Sequence, residues 1–253
     1  MALQVGIIKV KGKLQDLSFI DGKDSKGRKT NIVKTKGGVD GSRIKNDPNF
    51  SRTRENNDEF GRAGEAGKVI YNESQIVTSN ARDGRVVSRL LAAFRANIEK
   101  DAANVRGQRQ IQWEAPEEIV GFQFNQKRNF PTSYGGKLTA AKTAADVTVD
   151  LAAIVPMYDI KNQSEATHAK LEVQVIKIDA NGEVTSSVQT SGFFSVIDET
   201  PTIASQMSFV DAATDAAVLV VVTSLKFYQE LNGGMHLLYN KSYNASQILS
   251  ILV

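Results

Sequence analysis

His168 and His236 are the chain's two histidines. Each falls in a β-rich run, and neither has carboxylates at the short spacings that bring ligands together on a metal. There is no cysteine, which excludes a disulfide framework and a thiolate metal site. Acyl transfer would call for a nucleophile elbow, and no G-x-S-x-G occurs. Glu117 and Glu118 are adjacent carboxylates, but WEAPEEI reads as a loop, and acid–base work needs two carboxyls in differing environments. Gly61–Lys68, GRAGEAGK, has five residues between its outer glycines where a phosphate loop has four. Val69 also follows Lys68 where the motif places Ser or Thr for magnesium. Close backbone packing in a helix is the simpler reading. The sequence therefore predicts no catalytic set, no metal and no cofactor, and the chain reads as no enzyme.

The basic side chains are a stronger signal. Residues 1–110 carry 22 Lys and Arg against 13 Asp and Glu, a net +9. Residues 111–253 carry 9 against 15, a net −6. A basic half can meet a polyanion or the acidic half of an identical neighbour. Arg43, Lys45, Arg52, Arg54, Arg62, Arg82, Arg85, Arg89 and Arg95 could contact phosphates. Asp40, Asp47, Glu55, Asp58 and Glu59 interrupt them, and Phe50 is the one aromatic in residues 37–58 on which a base could stack. Nucleic-acid binding is thus the rival to an assembly role.

The elements that would position these groups follow from patterning. Residues 3–10, 17–20 and 31–36 read as strands of a small meander. Residues 37–58 hold only Val39, Ile44 and Phe50 as large apolar side chains. Ordering each residue costs about 1–2 kcal/mol of backbone entropy, so this stretch reads as an extended arm. Stretched out it spans about 70 Å. Its docking residues on a neighbouring copy would be Val39, Ile44 and Phe50, with Arg43, Arg52 and Arg54 pairing with that neighbour's acids. A helix follows from Asn56 or Asn57, with Phe60, Ala63, Gly67, Ile70, Ser74 and Val77 as its apolar stripe. A second stripe is Val87, Leu90, Leu91, Phe94, Ile98, Ala102 and Val105. Ser79–Asn80 and Gly84 lie between them, leaving open a helical hairpin or one long helix.

Beyond Arg109 short β-rich runs recur: 110–114, 119–125, 146–155, 168–179, 183–197, 206–210, 217–231, 235–240 and 247–253. Their hairpin-like spacing predicts an antiparallel β-sandwich. Asn181-Gly182 suits a type I′ turn. The last run, SQILSILV, reads as an edge strand able to pair in place or across subunits. The fold class is α+β, with a basic β-meander and arm over 1–58, a helical segment over 59–108 and the sandwich over 109–253. The N-terminus lacks an apolar run with a cleavage site, and the longest apolar run, residues 216–222, is too short to span a bilayer. A location in the cytoplasm, or assembly from it, without membrane insertion, is expected.

Several stretches together resemble a family of uncharacterised Bacteroidota proteins. They are Lys36-Gly37-Gly38, Arg43-Ile44, Asp47-Pro48-Asn49-Phe50, Arg52-Thr53-Arg54-Glu55-Asn56 and Glu59-Phe60-Gly61. Arg106-Gly107-Gln108-Arg109, Phe227-Tyr228-Gln229-Glu230 and Asn232-Gly233 are similar as well. The resemblance implies a source and no mechanism. The function predicted from the residues is a self-assembling structural subunit of a filament, tube, fibre or phage-like particle, with copies of itself as partner.

Overall fold

A computed structural model describes residues 2–3, 9–35, 37–161, 165–202, 204–214, 216–239 and 243–253. The chain is α+β and divides into two units, Met1–Arg54 and Glu55–Val253.

The first unit holds strands β1 (Ala2–Leu3), β2 (Gly12–Leu14), β3 (Leu17–Lys23) and β4 (Lys29–Thr35) in the antiparallel order β1-β4-β3-β2. Asp24 Oδ1 accepts from the Lys26 and Arg28 amides and closes the β3–β4 turn. The strand predicted over 3–10 is seen only at its start, since residues 4–8 lie outside the described residues. The sheet is followed by helix α1 (Gly41–Asn46), a 3-10 turn (Pro48–Phe50) and helix α2 (Ser51–Glu73). The predicted extended arm is therefore corrected to a chain of helical turns, and the long helix starts at Ser51 rather than near Asn56. The reason is local. Asp40 caps α1 by accepting from the Ser42 amide at 2.8 Å, and Asp47 caps the 3-10 turn through the Asn49 amide at 2.9 Å.

The second unit is three layers. Helices α2, α3 (Gln75–Thr78) and α4 (Val86–Glu99) form the first; two short helices, α5 (Phe130–Ser133) and α6 (Pro156–Asp159), lie in later connections. The helical stretch is a hairpin, not one helix. The β elements are β5 (Leu138–Lys142), β6 (Val147–Leu151), β7 (His168–Asp179), β8 (Val184–Ser195), β9 (Ser205–Phe209), β10 (Ala216–Leu231), β11 (Gly234–Leu237) and β12 (Ala245–Leu252). β8, β7 and β10 run side by side, all antiparallel. The far edge of β10 is shared, with β12 along Leu219–Leu225 and β11 along Tyr228–Leu231. A second sheet has the order β5-β6-β9.

β10 faces two cores. Leu219, Val221, Leu225 and Phe227 pack with Val147, Val149, Met207 and Phe209 of the smaller sheet, which makes the predicted sandwich. Val218, Val220 and Val222 face the helices, against Ile70, Val77, Leu90, Phe94 and Ile98. Burial on both faces is why Val218, Leu219, Val220, Val221 and Val222 form an unbroken apolar run rather than alternating. It also means that the helical segment and the sandwich, drawn from sequence as 59–108 and 109–253, share a core within one unit.

The helix stripes differ in detail from the pattern. Ala63, Gly67, Ile70, Ser74 and Val77 are buried, but Phe60 is 47% exposed. In α4 the inward residues are Val86, Leu90, Phe94, Asn97 and Ile98, while Val87 and Val105 point to solvent. Residues 110–114 are not a strand. Asn97 takes their backbone partners instead, donating to the Gln112 and Ala115 carbonyls and accepting from the Gln112 amide. Residues 119–125 form only a bridge, Gln123 to Gln247, but their backbone bonds to β12 through Gly121, Phe122 and Phe124. β12 therefore has a neighbour on both sides along Ser246–Ile248, which corrects its reading as an edge strand. The Asn181-Gly182 turn is corrected as well. Only Gly182 has positive φ (82°), and the Asp179 carboxylate accepts from the Asn181 and Glu183 amides. The type I′ turn lies at Asn232-Gly233, with φ of 53° and 78°, between β10 and β11.

Phe94 is fully buried between the helices and the sheet, so Phe94→Ala should cost about 3–5 kcal/mol. Gly61 lies within α2 with open space where a Cβ would stand, so Gly61→Ala should gain about 0.5–1 kcal/mol. Urea midpoints of the two variants should move in opposite directions.

Candidate interaction surfaces

The predicted docking residues sit around one carboxylate. Asp47 accepts from the Asn49 amide and from Arg43 Nε at 3.1 Å, and these hold its carboxyl below the usual aspartate value. Arg54 Nη1 donates back to the Ile44 carbonyl at 2.8 Å and the Asp47 carbonyl at 3.0 Å, satisfying the end of α1. The Arg43 guanidinium lies 5.8 Å from the Phe50 ring centroid. Arg43, Ile44, Phe50 and Arg54 are thus brought together. Val39 and Arg52 are exposed. Ile44 and Phe50 are half-buried. Arg43 and Arg54 have partners in their own chain.

The larger surface is the N-terminal sheet, which sequence patterning left as scaffold. Its register places Leu14, Leu17, Phe19 and Val33 on one face. The other face carries the row Leu3, Ile20, Ile32 beside the row Lys13, Ser18, Lys34. A Cβ on Gly22 would stand 2.2 Å from Ile32 Cδ1, so the glycine lets the isoleucine lie across the strand. No described residue of Met1–Arg54 is buried. The signal in the sequence was the seven Lys before position 36, set among the apolar residues of the strands.

In the second unit, four of the arginines read as phosphate contacts, Arg62, Arg82, Arg89 and Arg95, are engaged at home. Arg62 donates to the Gly107 carbonyl, Arg95 to Asn56 Oδ1 at 2.6 Å, and Arg89 to Asp83 and the Gln123 and Phe124 carbonyls. Arg82 stacks 4.8 Å over Tyr71. Two stretches that carry the family resemblance meet here. Glu59, buried, accepts from the Gly107 amide at 2.8 Å and lies 3.8 Å from Arg109, while Arg106 lies 3.9 Å from Glu55. Gly107 has φ 89°, and a Cβ there would stand 2.8 Å from Glu55 Cγ. The arrangement ties the connection after α4 to the first turns of α2.

The residues screened for chemistry do not converge. His168 Nδ1 lies 3.0 Å from Thr167 Oγ1 and 3.8 Å from Glu230, whereas His236 pairs across the turn with Gln229. Gly61–Lys68 lies inside α2, with Gly67 packed on Phe94 and Leu90. Glu118 pairs with Lys100 at 3.1 Å. No group of three His, Asp or Glu among the described residues could hold a metal. No helix among them is long and apolar enough to cross a membrane.

No family model and no curated protein matches the chain. Among solved structures, the solution structure of R. palustris CsgH is similar over 45% of this chain and 90% of its own, at 13% identity and a TM-score of 0.22. A likeness at that score carries no argument about fold or role.

Gly107→Ala should destabilise the second unit by about 1–3 kcal/mol, from the strained φ and the clash with Glu55; thermal melts measure it. The nearby Asp101 carboxylate accepts from the Gln110 amide, the Asn104 side chain and the Ala103 and Asn104 amides, which lower its pKa to about 2. A carboxyl held below its ordinary value stabilises the fold above that value and loses the contribution as pH falls through the lowered one. The Asp101 carboxyl should titrate near pH 2 by NMR, with the Gln110 amide shift following it. A midpoint near 4 would contradict the arrangement.

Proposed function

We propose that the chain is a structural subunit that assembles with copies of itself through its N-terminal unit, building a filament, tube, fibre or phage-like particle. One observation carries this reading: none of the described residues of Met1–Arg54 is buried, although the unit forms an ordered sheet. Fixing each residue costs about 1–2 kcal/mol, and burying a large apolar side chain returns about 1.5–3 kcal/mol. Leu3, Leu14, Leu17, Phe19, Ile20, Ile32 and Val33 are the side chains able to supply that return, and they supply it only under a cover. Charge favours a second copy as that cover. Residues 1–54 carry 13 Lys and Arg against 5 Asp, a net +8, and residues 55–253 carry 18 against 23, a net −5.

Nucleic acid is the second reading, favoured by Lys9, Lys11, Lys23 and Lys29 around one open cleft of the first unit. The arginines of α2 and α4 that would extend such a surface already donate to carbonyls and carboxylates of the chain.

Light scattering on the full chain and on residues 55–253 tests the proposal. The full chain should run as a multiple of its 27.6 kDa mass and the shorter form as a monomer. A monomeric full chain, or a shorter form that builds the same particle, overturns it. Binding of an oligonucleotide that weakens with salt, without self-association, would favour the second reading.

A further inference from the structure

We infer that the acceptor for the N-terminal sheet is an acid-flanked apolar patch on the second unit of a neighbouring copy, formed by Met157, Tyr158 and Ile197. The inference rests on the assembly reading and names the surface it needs.

Met157 is 46% exposed, Tyr158 71% and Ile197 70%. They come from two connections, α6 and the turn after β8, held together by the Met157 amide donating to the Asp198 carbonyl at 3.1 Å. α6 is itself fixed. Pro156 opens it, the Asp159 carboxylate accepts from the Val155 amide at 2.7 Å, and the Asp159 carbonyl accepts from the Gly135 amide at 2.7 Å. Three large apolar side chains are therefore displayed on a braced platform, at little further cost in ordering on contact. Asp159, Asp198 and Glu199 adjoin them in sequence, and Lys161 follows one turn on, leaving an acid excess.

The donor face has the opposite pattern. Leu3, Ile20 and Ile32 form one row across β1, β4 and β3, with Lys13 and Lys34 in the next row. No acid lies on that face of the strands among the described residues. Apolar row meets apolar patch, and lysine meets carboxylate. The opposite face of the sheet fits less well, because Asp21 lies on it and pairs with Lys11 at 2.5 Å. Donor and acceptor lie on different units of one chain, so the contact is head-to-tail and propagates from copy to copy.

Two full-length variants test this. Lys13→Glu with Lys34→Glu disables the donor, and Tyr158→Asp with Ile197→Asp disables the acceptor; all four side chains are exposed. Each variant alone should run as a monomer. Mixed in equal amounts, they should give a complex of twice the 27.6 kDa protomer mass and nothing larger, since each retains the surface the other lacks. The dimer also shows that both variants are folded. Glu199→Lys should partly restore assembly to the Lys34→Glu variant. An acceptor variant that assembles like the unaltered chain, or a mixture that stays monomeric, overturns the inference. If removing residues 1–54 abolishes assembly while the acceptor variant still assembles, the acceptor lies elsewhere and the assembly reading stands. A monomeric unaltered chain overturns both.

Discussion

Strand β10 must satisfy two cores at once, and the second unit is built to that requirement. Its alternate side chains enter the helix layer and the small-sheet layer. Its backbone is paired on both sides along most of its length. A strand in that position has no face on which to place a charge until Lys226, and there the cost of burial is met by Glu172. That carboxylate takes Lys226 on one oxygen at 2.5 Å and Lys170 on the other at 2.8 Å. A buried ion pair of this kind sets register more than it adds stability. Side-chain amides do comparable work around the sheet. Asn244 accepts from the Phe227 amide and donates to the Asn80 and Leu238 carbonyls, pinning three connections to the end of β10.

The first unit has no counterpart to this. Its hydrogen bonds are complete enough to give strands and helix caps, yet none of its described residues is buried. The helical stretch from Asp40 to Arg54 closes on itself through polar contacts, with Asp47 and Arg54 as the pivots, and through Arg43 over the Phe50 ring. Such contacts specify a shape at modest gain, since exposed ion pairs contribute about 0–1 kcal/mol. The shape is fixed locally, by contacts of modest individual strength.

Much of the second unit was legible in the sequence. β7, β8, β9 and β10 fall within a residue or two of the runs that predict them, because long apolar or alternating stretches bounded by turn residues leave little ambiguity. What was not legible depended on side chains that replace the ladder. Residues 110–114 have strand composition, but Asn97 of α4 takes the backbone N–H and carbonyl of Gln112, and Asp101 takes the Gln110 amide. β5, LTAAK, has one large apolar residue and no β-branched run, so nothing in it signals a strand. Asn-Gly at 181–182 and Asn-Gly at 232–233 are the same dipeptide. Asp179 makes the difference, because its carboxylate organises the first turn around itself and leaves only the glycine with positive φ. The convergence of Arg43, Ile44, Phe50 and Arg54 around Asp47 was not legible, because a single sequence does not show which acid an arginine meets.

β12 is made after β10, and it lies between β10 and residues 121–124, which precede it by more than a hundred positions. Loop closure over that distance is slow relative to local helix formation. During translation, β10 therefore emerges after the elements that cover its two faces but with one edge bare, while the strand that will shield that edge is still being made. Crowded nascent chains would meet at that edge. The yield of soluble protein should consequently depend on how fast the ribosome moves through the stretch between residues 231 and 245.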